Sequence, residues 1–119
     1  MLNQVVLVGR LTDNPQVQTT EKKKKMTTIN VAVQRTFKNP EGIYEADFIR
    51  CVLWNGIATN TSEYCKKGDI VGIKGRLSSR SYDDKDGSRK FITEVVAEKV
   101  TFLTSSKKDE TITVEVEEE

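Results

Sequence analysis

The chain has 119 residues, 36% hydrophobic and 31% charged, which suits one small domain with little apolar surplus. Lys+Arg number 19 and Asp+Glu 18, for a net charge of +1, yet residues 109–119 hold six acids and no base, leaving +7 on residues 1–108. With no histidine, Ser-His-Asp and Cys-His nucleophile systems and His-ligated metal sites are excluded, and no apolar run approaches the roughly 18 residues of a membrane span.

Short β-branched runs separated by turn chemistry dominate the chain. The opening MLNQVVLVGR lacks the basic segment and small-residue cleavage site of a signal peptide. Residues 3–11 predict a strand with a bulge at Gly9, and Asp13-Asn14-Pro15 predicts a turn. Residues 16–20 read as a short second strand, with Lys22-Lys23-Lys24-Lys25 at the tip of a long hairpin, either as a solvated loop or as a phosphate clamp. Residues 27–37 predict a strong strand ending at the turn Asn39-Pro40-Glu41-Gly42, and residues 46–54 predict another.

One helix follows. Ile57, Thr61, Tyr64 and Cys65 fall on a single helical face, with Asn55 as N-cap, Lys66-Lys67 at the negative end of the dipole and Gly68 at the C′ position. Residues 70–82 predict a long strand, residues 83–88 a turn around Asp86-Gly87, and residues 90–103 the last strong strand. Residues 111–116 alternate Ile112, Val114 and Val116, which suits an added edge strand, although absence of fixed structure is the preferred expectation there. Cys51 and Cys65 are too far apart for a CxxC motif and are expected to be free, reduced thiols.

With the short segment counted in the first strand, five strands carry a helix between the third and fourth. That order predicts an all-β fold, a five-stranded OB-fold Greek-key barrel. An SH3-like barrel or a small sandwich does not expect a helix at that place.

Strand parity locates the candidate chemistry. Along residues 46–54, Phe48, Arg50, Val52 and Trp54 share one face, and Ile49, Cys51 and Leu53 form an ordinary core face opposite. Along residues 70–82, Lys74, Arg76, Arg80 and Tyr82 share a face, with Val71, Ile73 and Leu77 opposite as core. Aromatics beside cations make a stacking platform with a basic rim, which suits unpaired bases and their phosphates and tolerates any base. Each stacked base is worth roughly 1–3 kcal/mol.

Other aromatics read as structure. Phe91 and Phe102 are expected in the core, and Tyr64 is expected to pack the helix on the barrel. Trp54 taken alone is more often core than ligand platform, because a large ring is usually well buried. Arg35 and Phe37 share parity with the core residues Ile29, Val31 and Val33, so they reach a ligand only if the strand bulges or runs past the barrel's end. Asp83-Asp84-Lys85-Asp86-Gly87 resembles a calcium loop, but Tyr82 and Thr93 occupy its first and twelfth ligand positions, so a hairpin turn is expected and no metal or catalytic constellation.

In order and spacing, MLNQVVLVGRLTDNP, INVAVQRTFKN, EADFIRCVLWNGIA, EYCKKGDIVGIKGRLSSRSYDDKDG and FITEVVAEKVTFL resemble the bacterial-type single-stranded-DNA-binding proteins, phage-encoded members included. The resemblance covers residues 1 to about 104 and implies an OB-fold binding domain over residues 1–104, followed by a short acidic tail over residues 105–119. It implies a homotetramer in the cytoplasm, near the nucleoid or in a phage host, that coats single-stranded DNA in replication, recombination or repair without sequence preference, enzymatic activity, cofactor or metal. The base-stacking aromatics it implies are Phe37, Phe48, Trp54 and Tyr82, and the candidate phosphate contacts are Arg10, Arg35, Lys38, Arg50, Lys74, Arg76, Arg80 and Arg89. Several members have Trp where this chain has Phe or Tyr, which implies weaker stacking. Longer members dock replication and repair proteins through an acidic tip ending in apolar residues. This sequence reads Glu117-Glu118-Glu119 there, which weakens that expectation. The acidic tail is instead expected to compete with DNA for the basic groove. A protein-binding OB module and an RNA binder remain as alternative readings.

Overall fold

Alternation of β-branched residues gives long strands, and a computed structural model describes residues 1–104 together with the backbone of residues 112–115. The elements run β1 (Val5–Leu11), β2 (Gln18–Thr19), β3 (Lys25–Lys38), β4 (Tyr44–Trp54), α1 (Asn55–Tyr64), β5 (Ile70–Asp83), β6 (Arg89–Phe102) and β7 (Ile112–Glu115). The sheet follows the order β1-β5-β6-β4-β3 and closes where β3 returns to β1 through Arg10↔Ala32 and Leu11↔Val31. β4 and β6 run parallel, and the other pairings among the described residues are antiparallel. With the two-residue β2 counted with β1, this is the five-stranded OB-fold barrel, its helix between the third and fourth strands.

The barrel encloses Leu11, Ile29, Val31, Cys51, Leu53, Val71, Ile73, Val95, Val100 and Phe102, and α1 adds Ile57 and Ala58. Tyr64 packs against this core with its ring 5.9 Å from that of Phe102. Both thiols are free and buried, and burial pushes each up to about 12.

Two glycines set how closely the strands approach. A Cβ on Gly9 would run into the Ala32 carbonyl oxygen where β3 crosses β1, and one on Gly75 would run into the Val96 carbonyl oxygen. Gly9 is therefore a point of close approach and not the expected bulge, since the β1–β5 register runs unbroken through Gly9↔Val71.

Other local expectations change. Trp54, in extended conformation, occupies the N-cap with no side-chain bond, while Asn55 is the first helical residue at φ 54°. Cys65 is the C-cap, so Gly68 belongs to the following turn, whose amide donates to the Leu11 carbonyl at 2.9 Å. The lysine run closes a short hairpin, because β2 has only two residues and Thr19 already pairs with Lys25. β7, where no fixed structure was expected, pairs with β6 through Lys99↔Glu115 to Phe102↔Ile112. Thr111, Val116 and the acids Asp109, Glu110, Glu117, Glu118 and Glu119 lie outside the described residues, and with them the expected competition between tail and DNA.

Candidate nucleic-acid interface

The candidate interface lies on the outward side of β3, β4, β6 and β5. Cross-strand partners lie on the same side of a sheet, so the register assembles it. Ala32 pairs with Phe48, Asn30 with Arg50, Thr28 with Val52 and Met26 with Trp54. Val52 then pairs with Val96, and Val96 with Arg76, while Glu94 pairs with Ser78 and Ile92 with Arg80. The inward residues Cys51 and Leu53 are fully buried, as their parity predicted.

Phe48 is 69% exposed, a large apolar ring held in water beside Arg50. Trp54 is half-buried at the far end of β4, about 20 Å along the strand at the usual rise. Between them Val52 is buried, so this face offers two separated aromatic stations and no continuous stripe. Tyr82 is exposed near the tip of the β5–β6 hairpin, paired with Lys90. Phe37 is exposed near the end of β3, within the register shift between Gln34 and Lys38. That irregularity satisfies the condition its parity had set. The four aromatics are thus distributed over the strands and do not share a pocket.

The cations are engaged to different degrees. Arg50 donates from Nε to Glu94 Oε2 at 2.8 Å, and Arg80 from Nε to Glu94 Oε1 at 3.0 Å. Burial pulls the Glu94 carboxyl upward, but the hydrogen bonds and charges of the two arginines outweigh it and hold the group below its ordinary value. Arg35 is bound by Asp47, whose carboxyl is lowered chiefly by that hydrogen bond. Lys38 Nζ lies 5.6 Å from the centre of the Tyr44 ring, a cation–π contact. Arg10 donates to the Gly68 carbonyl at 3.0 Å, although its ladder partner Ala32 also pairs with Phe48. Lys74, Arg76 and Arg89 are exposed and have no ion-pair partner among the described residues.

Two apolar residues expected in the core are not there. Phe91 is 74% exposed and Leu77 is exposed as well. Phe91 pairs with the exposed Ser81, on the arm of the β5–β6 hairpin that runs out past the enclosed part of the barrel, whereas Leu77 lies opposite the buried Val95, where that enclosure ends. Inward parity continues along that arm after the interior has ended. Phe102, by contrast, is fully buried, as expected.

Glu94, Asp47 and Tyr44 contact the candidate cations without having been singled out from the sequence. A parity signal for Glu94 exists only if β6 is read in two halves. Lys74 pairs with Lys99 but Gly75 pairs with Ala97, so Glu98 is an extra residue. Before that bulge the odd residues Val95 and Ala97 are buried, and after it the even residues Val100 and Phe102 are.

Sequence comparison agrees with this geometry. The model of the single-strand binding protein family matches residues 2–103. The chain is 50% identical over 103 residues to single-stranded DNA-binding protein 2 of Listeria innocua, covering 87% of this chain and 65% of that protein. It is 50% identical to single-stranded DNA-binding protein 1 of Staphylococcus aureus, covering 87% of this chain and 62% of that one. Against single-stranded DNA-binding protein B of Bacillus subtilis the identity is 45%, covering 87% of this chain and 91% of the relative. The chain therefore spans just under two thirds of the length of the Listeria and Staphylococcus relatives, and by the match of its whole barrel it belongs to the single-strand binding protein family.

Proposed function

We propose that the chain is a non-enzymatic binder of single-stranded DNA that takes up any sequence. In this reading, bases stack on Phe37, Phe48, Trp54 and Tyr82 while the surrounding arginines and lysines hold the phosphates. The observation that carries it is Phe48, 69% exposed on a sheet face shared with the guanidiniums of Arg50 and Arg80. An exposed ring in that company is poorly explained by packing and well explained by a base. Duplex DNA hides its base faces, so the same surface selects single strands.

The wider reading assigns residues 1–104 to the binding domain and residues 105–119 to an acidic tail. It places the protein in the cytoplasm, coating exposed strands in replication, recombination or repair. It also makes the working unit a homotetramer. Val6 and Val8 on the outward side of β1, with Met1 and Leu2 ahead of them, are exposed apolar residues that favour self-association. Among the described residues no helix is long and apolar enough to cross a membrane.

Titration with an oligothymidylate, followed by the fluorescence of Trp54, tests the binding. Quenching should saturate, and log affinity should fall linearly with log salt, with about 0.7 counterions released per phosphate neutralised on a single strand. Absence of binding, or binding indifferent to salt, would overturn the proposal.

A further inference from the structure

Glu94 stands under the basic face with its side chain only 7% exposed, while the side chains of Arg50 and Arg80 above it are 39% and 51% exposed. The acid sits on β6, between β4, which supplies Arg50, and β5, which supplies Arg80. Each carboxylate oxygen takes one arginine: Oε2 accepts from Arg50 at 2.8 Å and Oε1 from Arg80 at 3.0 Å. Both bonds use Nε. The terminal nitrogens, which form the fork that matches a phosphate, are used in neither bond.

A buried carboxylate is costly unless paired, so it holds its two partners firmly. An acid within a basic DNA-binding face would weaken binding if it acted through charge alone. We propose that Glu94 is a positioning residue of the interface: it anchors Arg50 and Arg80 by their Nε sides and presents their terminal nitrogens, already oriented, to the DNA backbone phosphates. The two guanidiniums and one carboxylate together keep one net positive charge for the strand. Preorganisation reduces the side-chain entropy given up on binding, which is how removing a negative charge can lower affinity for an anion. This inference rests on the proposed binding of single-stranded DNA.

The sign of one substitution separates positioning from charge. Glu94→Gln keeps the size of the side chain and makes the face more positive by one charge. If the acid acts through charge, oligothymidylate binding tightens and its salt dependence steepens. If it positions the arginines, affinity falls about tenfold at moderate salt. The salt slope then becomes shallower by about 0.7 for each phosphate that the arginines no longer neutralise. A merely structural defect lowers the melting temperature and leaves the salt slope unchanged, so affinity, slope and thermal melt are measured together. Unchanged or tighter binding by a folded Glu94→Gln protein overturns the proposal, as does an affinity loss with the wild-type slope.

Should Glu94→Gln fail to fold, Arg50→Lys and Arg80→Lys decide the matter, because each keeps the charge but has no second nitrogen edge for phosphate once it meets Glu94. Several-fold weaker binding in both supports positioning, and wild-type affinity in both overturns it. Failure of the wild-type protein to bind the oligonucleotide is a different result and overturns the binding function itself.

Discussion

Arg35 on β3 is bound by Asp47 on β4 through three nitrogen–oxygen hydrogen bonds of 2.8–3.2 Å. The ladder partner of Asp47 is Val33, so the guanidinium reaches diagonally across the pair to make these bonds. Two of them come from Nε and one from Nη2, so one terminal nitrogen of the fork that would grip a phosphate is already on a carboxylate. Arg35 therefore differs from Arg50 and Arg80, whose acid is buried below them and touches only Nε.

Releasing Arg35 should strengthen binding. Asp47→Asn removes one negative charge and frees a guanidinium, and oligothymidylate affinity is expected to rise about two- to fivefold at low salt, with a salt slope steeper by about 0.7. The hydrogen bond from Arg35 lowers the Asp47 carboxyl below its ordinary 3.8, so the pair is intact at neutral pH and opens only as pH falls through that lowered value. The gain in the variant should accordingly be constant between about pH 5 and pH 8. An affinity equal to wild type at 20–50 mM salt, roughly the range where screening is weakest, would show that Arg35 does not meet the strand.

The exposed and buried phenylalanines should separate binding from stability. Phe48→Ala removes a ring that stands in solvent, so its melting temperature should stay near wild type while oligonucleotide binding weakens by about 1–3 kcal/mol. Phe102→Ala empties the centre of the barrel beside Tyr64 and should cost about 3–5 kcal/mol of stability. Phe91→Ala belongs with the surface changes and should alter stability by no more than about 0.5 kcal/mol. Urea melts and binding titrations on the three variants check this, and a comparable stability loss in Phe48→Ala would return that ring to the core.

The contrast between Phe48 and Phe91 shows what the sequence makes legible. Alternation along residues 46–54 placed Phe48 and Arg50 outward and Cys51 and Leu53 inward correctly, because β4 is enclosed along that stretch. The same reasoning put Leu77 inside, and Phe91 was expected in the core as well. Parity says which side of a strand a residue takes, and it does not say where the enclosed space ends. β5 and β6 are both 14 residues long, so their hairpin outruns the barrel and carries inward-parity residues into solvent. Glu94 was illegible for another reason. Its two arginines come from β4 and β5, and they meet only through a parallel β4–β6 crossing and a bulged β6, which no local pattern encodes. Asn55 shows a third limit, since a good capping residue was passed over where an extended Trp54 leads straight into the helix.

Acid should erase the stabilising part of the Glu94 cluster. Its pKa is lowered from 4.5 in the folded chain, so its contribution to stability is fully present above that ordinary value and is lost as pH falls through the depressed one. With the arginine partners half in water, the contribution is discounted to about 1 kcal/mol. Glu94→Gln should be less stable than wild type by about that amount at pH 7, and the gap should close as pH falls below about 4.5 through the lowered value. Urea melts across this range read it directly. A gap that persists in acid well below the ordinary value would mean that the loss comes from packing and not from the ionised carboxylate.

β7 gives the last expectation. β4 pairs with β6 at Cys51↔Val95 and Val52↔Val96 and then diverges, which leaves the same edge of β6 uncovered beyond its bulge. β7 lies antiparallel along residues 99–102 of β6, from Lys99↔Glu115 to Phe102↔Ile112. An uncovered strand edge exposes backbone donors to water and to other strands. Cutting the chain after residue 104 should therefore speed hydrogen exchange at alternate amides of residues 99–102, those that point away from β5. Amides on the β5 side of the same stretch should keep their protection, because Val71↔Phe102 and Ile73↔Val100 survive the cut. The alternation makes the test specific. A general loosening of the barrel would accelerate both sets, and no change in either would mean that β7 contributes nothing to the edge it covers.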